Sequence, residues 1–201
     1  KNMPRRKTFL SNGEIYHIFN RGVEKRKIFQ TERDFGRFLE TLEHYQFINN
    51  KFSRTFQVKL KKESEVKLVE ILGFCLMPSH FHLLLRQVED NGLSIFMNRL
   101  SSSFTKYFNI KNQRIGPLFQ GNFKAVRIES DEQLLHVSRY IHLNPIASGL
   151  IKDLNQYKWS SYSDYVGDGR WGFLSTADII SYFTSKEAYR QFVLDQADYS
   201  T

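Results

Sequence analysis

Three features of the sequence predict an α+β fold in which helices pack on one face of an antiparallel sheet. Strand-like and helix-like runs follow one another as strand, helix, two strands, helix, strand. Two of the strand runs, residues 66–77 and 80–88, are separated only by Pro78-Ser79 and read as an antiparallel hairpin. The two helical runs each carry one apolar stripe, which needs a sheet face to bury it.

Residues 13–23 follow a basic amino-terminal stretch and read as the first strand. Residues 32–47 place Phe35, Phe38, Leu39, Leu42, Tyr45 and Gln46 at helical spacing. A lysine-rich stretch, Lys59-Leu60-Lys61-Lys62, precedes the hairpin. Leu93, Phe96, Met97, Leu100, Phe104 and Phe108 then mark an amphipathic helix whose other positions include Asn98, Arg99, Ser101, Ser102 and Lys106. Residues 109–120 are polar, basic and rich in turn formers, and residues 123–128 read as a further strand. Ser130, with Gln133 three positions on, is a capping-box pattern that opens a short helix with Asp131 and Glu132 in its first turn; Pro145 is expected to end it. Residues 1–152 read as the main domain and 153–201 as a carboxy-terminal extension with short helices near 176–183 and 186–195. Pattern alone leaves the strand order open, and no internal repeat is present.

The composition narrows the partners. The net charge is +8, and it is uneven: residues 1–62 hold 15 Lys/Arg against 6 Asp/Glu, residues 63–152 hold 10 against 8, and residues 153–201 hold 4 against 7. Such an excess suits a polyanion, with the aromatics as base-stacking platforms, although a solvated basic face and a core of aromatics account for the same composition. Cys75 is the single cysteine, so no intramolecular disulfide can form. No apolar run approaches membrane-spanning length and no hydrophobic segment follows the basic amino terminus, so a soluble cytoplasmic protein is expected.

The chemistry centres on His80-Phe81-His82. Residues two apart on a strand share a face, so both imidazoles can aim at one point while Phe81, Leu83 and Leu85 face the core. That is half of a divalent-metal site; a hydrogen-bonded histidine pair is the plainer alternative. On the helix after Ser130, Leu134, Val137 and Ile141 fall on one side, whereas His136, Tyr140 and Asn144 form an i, i+4, i+8 line on another. That line presents a phenol and an amide oxygen. His136 is a reserve ligand; His17, His44 and His142 have no comparable constellation and are read as structural.

The histidine pair and the tyrosine helix together resemble the HUH single-tyrosine nucleases, specifically the REP-associated tyrosine transposases. Further segments carry the resemblance: Tyr16-His17-Ile18-Phe19-Asn20-Arg21-Gly22, Gly116-Pro117-Leu118-Phe119-Gln120-Gly121-Asn122-Phe123, Tyr140-Ile141-His142-Leu143-Asn144-Pro145 and Trp159-Ser160-Ser161-Tyr162, spanning residues 13–165. It implies a ferredoxin-like antiparallel sheet with the histidines on a central strand and the Tyr140 helix across it. By position it implies Tyr140 as the nucleophile, with His80, His82 and Asn144 as ligands of Mg²⁺ or Mn²⁺; some relatives carry Gln where this chain has Asn144. The implied activity is cleavage and rejoining of single-stranded or hairpin DNA through a 5′-phosphotyrosine.

Tyr107 is the rival nucleophile, but it adjoins the apolar stripe and has Lys111, not a ligand-type residue, one turn downstream. Arg21, Arg99, Lys106, Arg114, Lys124 and Arg127 flank or lie between the catalytic elements and are candidate phosphate contacts. A non-catalytic nucleic-acid-binding regulator would keep the basic face without needing the His80, His82, Tyr140 and Asn144 set. A metal-dependent hydrolase on a large barrel would need more chain and more ligands. Monomer and homodimer are both compatible with the sequence.

Overall fold

The computed structural model describes residues 9–48, 66–167 and 169–195. The basic stretches at 1–8 and 59–62, on which much of the charge asymmetry rests, lie outside the described residues. The chain runs β1 (Ile15–Arg21), α1 (Glu32–Tyr45), β2 (Val69–Met77), β3 (His80–Gln87), α2 (Gly92–Lys111), β4 (Lys124–Arg127) and α3 (Asp131–Ala147). It continues through α4 (Tyr162–Val166), α5 (Ala177–Ile180) and α6 (Lys186–Leu194). The four strands form one antiparallel sheet in the order β2-β3-β1-β4, the ferredoxin-like arrangement, with β3 and β1 at its centre.

Alternation sorts the strand side chains onto two faces. Tyr16, Ile18, Phe74, Leu76, Phe81, Leu83 and Leu85 meet the apolar stripes of α1 and α2, including Phe38, Leu42, Phe96, Leu100 and Phe104. Leu72, Cys75, Met77 and Leu84 point the other way, onto Leu134, Ile141 and Leu143 of α3 and onto Tyr162, Tyr165, Tyr189 and Val193. The antiparallel α+β class therefore holds, but the helices occupy both faces rather than one. The cause is visible in β2 and β3, which are nearly continuous apolar runs; a strand without polar alternation must be covered on both sides.

Leu154, Tyr162, Tyr165, Ile179, Tyr189 and Val193 share that second core with α3, whereas Phe173 packs in the first. Residues 159–161 also run along the outer edge of β2, where Leu76 N–H donates to the Trp159 carbonyl (2.9 Å) and Ser161 N–H donates to the Phe74 carbonyl (3.0 Å). A bulge between Ile71 and Gly73 brings β2 close under this segment. A Cβ at Gly73 would stand 3.3 Å from Ser161 Oγ, a tight approach that a larger residue would make only if that hydroxyl gave way by a few tenths of an ångström.

The α3 helix runs two residues past Pro145. Pro145 has no N–H to give to the Ile141 carbonyl one turn back, so the helix passes through it with that backbone hydrogen bond missing. Gly149 (φ +69°) makes the stop: its N–H donates to the Ile146 carbonyl (2.8 Å), and Leu150 N–H donates to the Pro145 carbonyl (2.9 Å). At the other end, Gln133 N–H donates to Ser130 Oγ (3.1 Å). No helix among the described residues is long and apolar enough to cross a membrane.

Candidate active site

The face of β3 turned toward α3 carries Leu84 in the core and, beyond it, His82 and His80. Their ring centroids are 5.2 Å apart and nearly perpendicular. Tyr140 comes down from α3 with its ring centroid 5.5 Å from that of His82. It is 52% exposed, in contrast to its buried neighbours Arg139 and Ile141, so its hydroxyl is open to an incoming molecule.

One residue of this group is not a member of the expected set. His17 of β1 lies diagonally across the ladder, since Phe19 pairs with His82 and His17 with Leu84. Its Nε2 is 2.9 Å from His82 Nδ1, the two rings lie end to end with centroids 5.1 Å apart and planes within 22° of each other, and the Tyr140 ring stands edge-on at 5.9 Å. Read alone, the sequence leaves His17 structural; the structure makes it part of the cluster. Strand register brought it there, and only the pairing of Tyr16-His17-Ile18-Phe19 against β3 could have revealed it.

The imidazoles are neutral at physiological pH. Burial pushes the pKa of His17 down to about 4. Burial, then the neighbouring His17 and His80, takes His82 to about 3. Burial and the Arg21 guanidinium lower His80 as well. A neutral imidazole is the form that binds metals. Nδ1 of His80 meets Ser79 Oγ (3.1 Å) and Nδ1 of His82 meets His17, so Nε2 of each is the atom left for a ligand. Asn144 donates its Nδ2 to the Tyr140 carbonyl (2.8 Å), which leaves its Oδ1 as the free donor atom. Among the described residues no cluster of three His, Cys, Asp or Glu could hold a metal. Two imidazoles and an amide oxygen suit a weakly held divalent ion that completes its shell with water or phosphate oxygens.

The rival tyrosine is elsewhere. Tyr107 sits on α2, under the opposite face, and its hydroxyl donates to Asp34 Oδ1 (2.8 Å). Burial and that carboxylate push its pKa up to about 12. His136 is engaged by Arg139, whose Nη2 donates to its Nδ1 (2.6 Å).

The six basic candidates divide. Arg21, exposed, is the ladder partner of His80, and its Nε donates to Gln120 Oε1. Lys124 is the partner of Phe19 and holds its Nζ 5.8 Å from the centre of that ring. Both lie on the histidine face by alternation. Arg127 has the opposite parity and is tied to Glu14 by contacts of 2.7 and 3.0 Å. Arg99 donates to the Ile48 carbonyl (2.9 Å) from α2, and Lys106 is exposed on the same helix. Arg114 is bound to Asn109 Oδ1 (2.6 Å) and the Pro117 carbonyl (3.2 Å), where it shapes the loop before β4. Phe119 and Phe123 are buried in the core, and the Tyr157 hydroxyl donates to the Leu76 carbonyl (2.6 Å).

A ferredoxin-like sheet with a histidine pair on a central strand and a tyrosine helix across it defines a class of protein in which the sheet presents imidazoles and the helix presents a phenol. The family model of IS200-like transposases matches residues 38–144, more than half of the chain, and the chain belongs to that family. It is similar to a REP-associated tyrosine transposase of Haemophilus influenzae, with 27% identity over 117 residues, covering 53% of this chain and 66% of the relative's length. Among solved structures it resembles a REP-associated tyrosine transposase bound to a REP hairpin, with a TM-score of 0.61 and 15% identity, covering 82% of this chain and 86% of the other. A transposase from Deinococcus radiodurans aligns less well, with a TM-score of 0.40 and 12% identity over 69% of this chain and 95% of the other.

Proposed function

We propose that this chain cleaves and rejoins single-stranded DNA at hairpin-forming palindromic repeats, with Tyr140 as nucleophile and a divalent metal held by His80, His82 and Asn144. The observation that carries the reading is the exposed Tyr140 ring 5.5 Å from His82, on the face where both histidines keep Nε2 for a ligand. Membership of the IS200-like transposases supports the class of reaction. The structural neighbour of the same fold was bound to a REP hairpin, which motivates hairpin DNA as substrate.

In this reading Nε2 of His80, Nε2 of His82 and Oδ1 of Asn144 are the protein ligands. A Mg²⁺ or Mn²⁺ ion held there would supply positive charge to the nonbridging oxygens of the scissile phosphate. Arg21, beside His80, and Lys124 hold the flanking backbone. The Tyr140 oxygen attacks phosphorus: its O–P bond forms, the bond from phosphorus to the 3′ oxygen breaks, the phenol proton passes to solvent and the leaving oxygen takes up a proton. The products are a 5′-phosphotyrosine and a free 3′-hydroxyl. Attack by a different 3′-hydroxyl restores a phosphodiester and returns Tyr140, so rejoining needs no further energy source.

The test is covalent trapping on a hairpin oligonucleotide in Mn²⁺, followed by peptide mapping of the adduct. A nucleotide remnant on Tyr140 is expected. A remnant on Tyr107, or the absence of any adduct, would overturn the reading. The His80→Ala, His82→Ala double variant should lose cleavage while retaining most single-strand affinity, which comes chiefly from phosphate contacts. Cleavage at the unmodified rate by that variant would remove the metal site.

A further inference from the structure

We infer that His17 is a positioning residue that sets the tautomer of His82 and so presents the His82 Nε2 lone pair to a divalent metal. The inference rests on the metal reading above and adds to it a residue that touches neither the metal nor the DNA.

A neutral imidazole has one N–H and one lone pair, so a contact between two imidazole nitrogens admits two arrangements. His17 Nε2 and His82 Nδ1 are 2.9 Å apart, a hydrogen-bond distance, and one of them must carry the proton. If His17 Nε2 donates, the single proton of His82 sits on its Nε2, which then points a donor at the place a cation would occupy. If His82 Nδ1 donates, its Nε2 is a lone pair and His17 carries its own proton on Nδ1. Only the second arrangement makes His82 a ligand. A ligating histidine that gives its other N–H to a fixed acceptor is the general form of such sites.

The packing prevents either ring from turning away. His17 is 9% and His82 6% exposed, and the ring planes are within 22° of each other, which places the shared hydrogen bond in the plane of both rings. Phe19 packs on both, at centroid distances of 5.0 and 5.9 Å, and Tyr140 closes the group from α3. The acceptor is neutral, which also has a purpose in this place. A carboxylate would orient His82 equally well but would set a negative charge beside an incoming phosphate; an imidazole orients the ligand without that repulsion.

The experiment reads the metal-free protein first. Long-range ¹H–¹⁵N spectra of the histidine-labelled, unmodified chain should show His82 protonated on Nδ1 and unprotonated on Nε2; protonation on Nε2 overturns the inference whether or not any variant folds. Mn²⁺ binding without DNA is then compared by electron paramagnetic resonance. His17→Phe, which keeps the volume and removes the acceptor, should weaken Mn²⁺ binding about ten- to a hundred-fold. His17→Gln, whose amide oxygen can accept, should recover most of the loss. Equal Mn²⁺ affinity in the unmodified chain and His17→Phe overturns the role of His17 and leaves the metal site standing. Mn²⁺ binding by the unmodified chain that is indifferent to His80→Ala and His82→Ala overturns both.

Discussion

Each face of the sheet carries a polar cluster containing a tyrosine, and the two clusters differ in how completely their atoms are used. On the α1/α2 face, the fully buried Asp34 accepts from the backbone of Gln30 and Thr31, the Thr31 hydroxyl, the Tyr107 hydroxyl and Lys111 Nζ. Those contacts close the amino end of α1 and tie it to the carboxyl end of α2. On the α3 face, His17, His80 and His82 are ordered by one another and by Ser79, yet two imidazole Nε2 atoms and an exposed phenol are left open. Residue types alone do not separate these clusters. Satisfaction does: the first has its hydrogen-bonding capacity used within the fold, and the second leaves part of its capacity unused.

The comparison breaks most readily at its two tyrosines. Tyr140→Phe should abolish nicking and the covalent species while leaving thermal unfolding unchanged, whereas Tyr107→Phe should keep both products; gel analysis of trapped complexes distinguishes them. The same Tyr107→Phe variant should lose about 2 kcal/mol of stability, since it removes a hydrogen bond to a buried carboxylate. Loss of cleavage by Tyr107→Phe with no loss of stability would reverse the assignment of the two faces.

Asp34→Ala should cost about 3 kcal/mol in urea denaturation, because it leaves Lys111 and the start of α1 without their partner. Burial alone would raise the pKa of Asp34, but the hydrogen bonds from Lys111, Gln30, Tyr107 and Thr31 outweigh it and hold the carboxyl below its ordinary value. A depressed folded pKa means that this contribution is complete above the ordinary carboxylate value and fades as pH falls through the lowered one. The difference in stability between the unmodified chain and Asp34→Ala should therefore shrink in acid and stay constant from pH 6 to 8.

The smallest effect concerns the edges of the two faces. Arg21→Ala and Lys124→Ala should each lower the slope of log affinity against log salt by about 0.7 for single-stranded DNA. Arg127→Ala and Arg99→Ala, whose guanidinium groups are bound to Glu14 and the Ile48 carbonyl, should leave it unchanged. Equal slopes for all four would mean that the histidine face is not the DNA-binding face.

Much of this was legible in the sequence because it depends on local period. Alternation placed His80 and His82 opposite Phe81 and Leu83, and the helical line of Tyr140 and Asn144 stood clear of Leu134 and Ile141. The hairpin at Pro78-Ser79 and the strand and helix order were equally local. What escaped depends on pairing at a distance. His17 joins His82 only through the β1/β3 register, and Arg127 is tied up only because the fold brings Glu14 against it. The second helical layer was implied by the unbroken apolar runs of β2 and β3. Reading it needed the burial of both strand faces to be weighed together, beyond the stripe of any one helix.

The segment along β2 has a consequence for how the molecule behaves in company. An outer strand normally offers a ladder of unused amides and carbonyls to any extended chain nearby. Here the Phe74 amide donates to Ser161 Oγ and the Phe74 carbonyl accepts from Ser161 N–H; the Leu76 amide donates to Trp159, and the Leu76 carbonyl accepts from the Tyr157 hydroxyl. Farther along, the carbonyls of Leu72 and Ile71 accept from the Tyr165 hydroxyl and Ser175 N–H. The longest and most apolar strand is thus closed to recruitment into intermolecular sheets. The opposite margin is the four-residue β4, bearing Lys124 and Arg127, too short and too charged to nucleate a fibril.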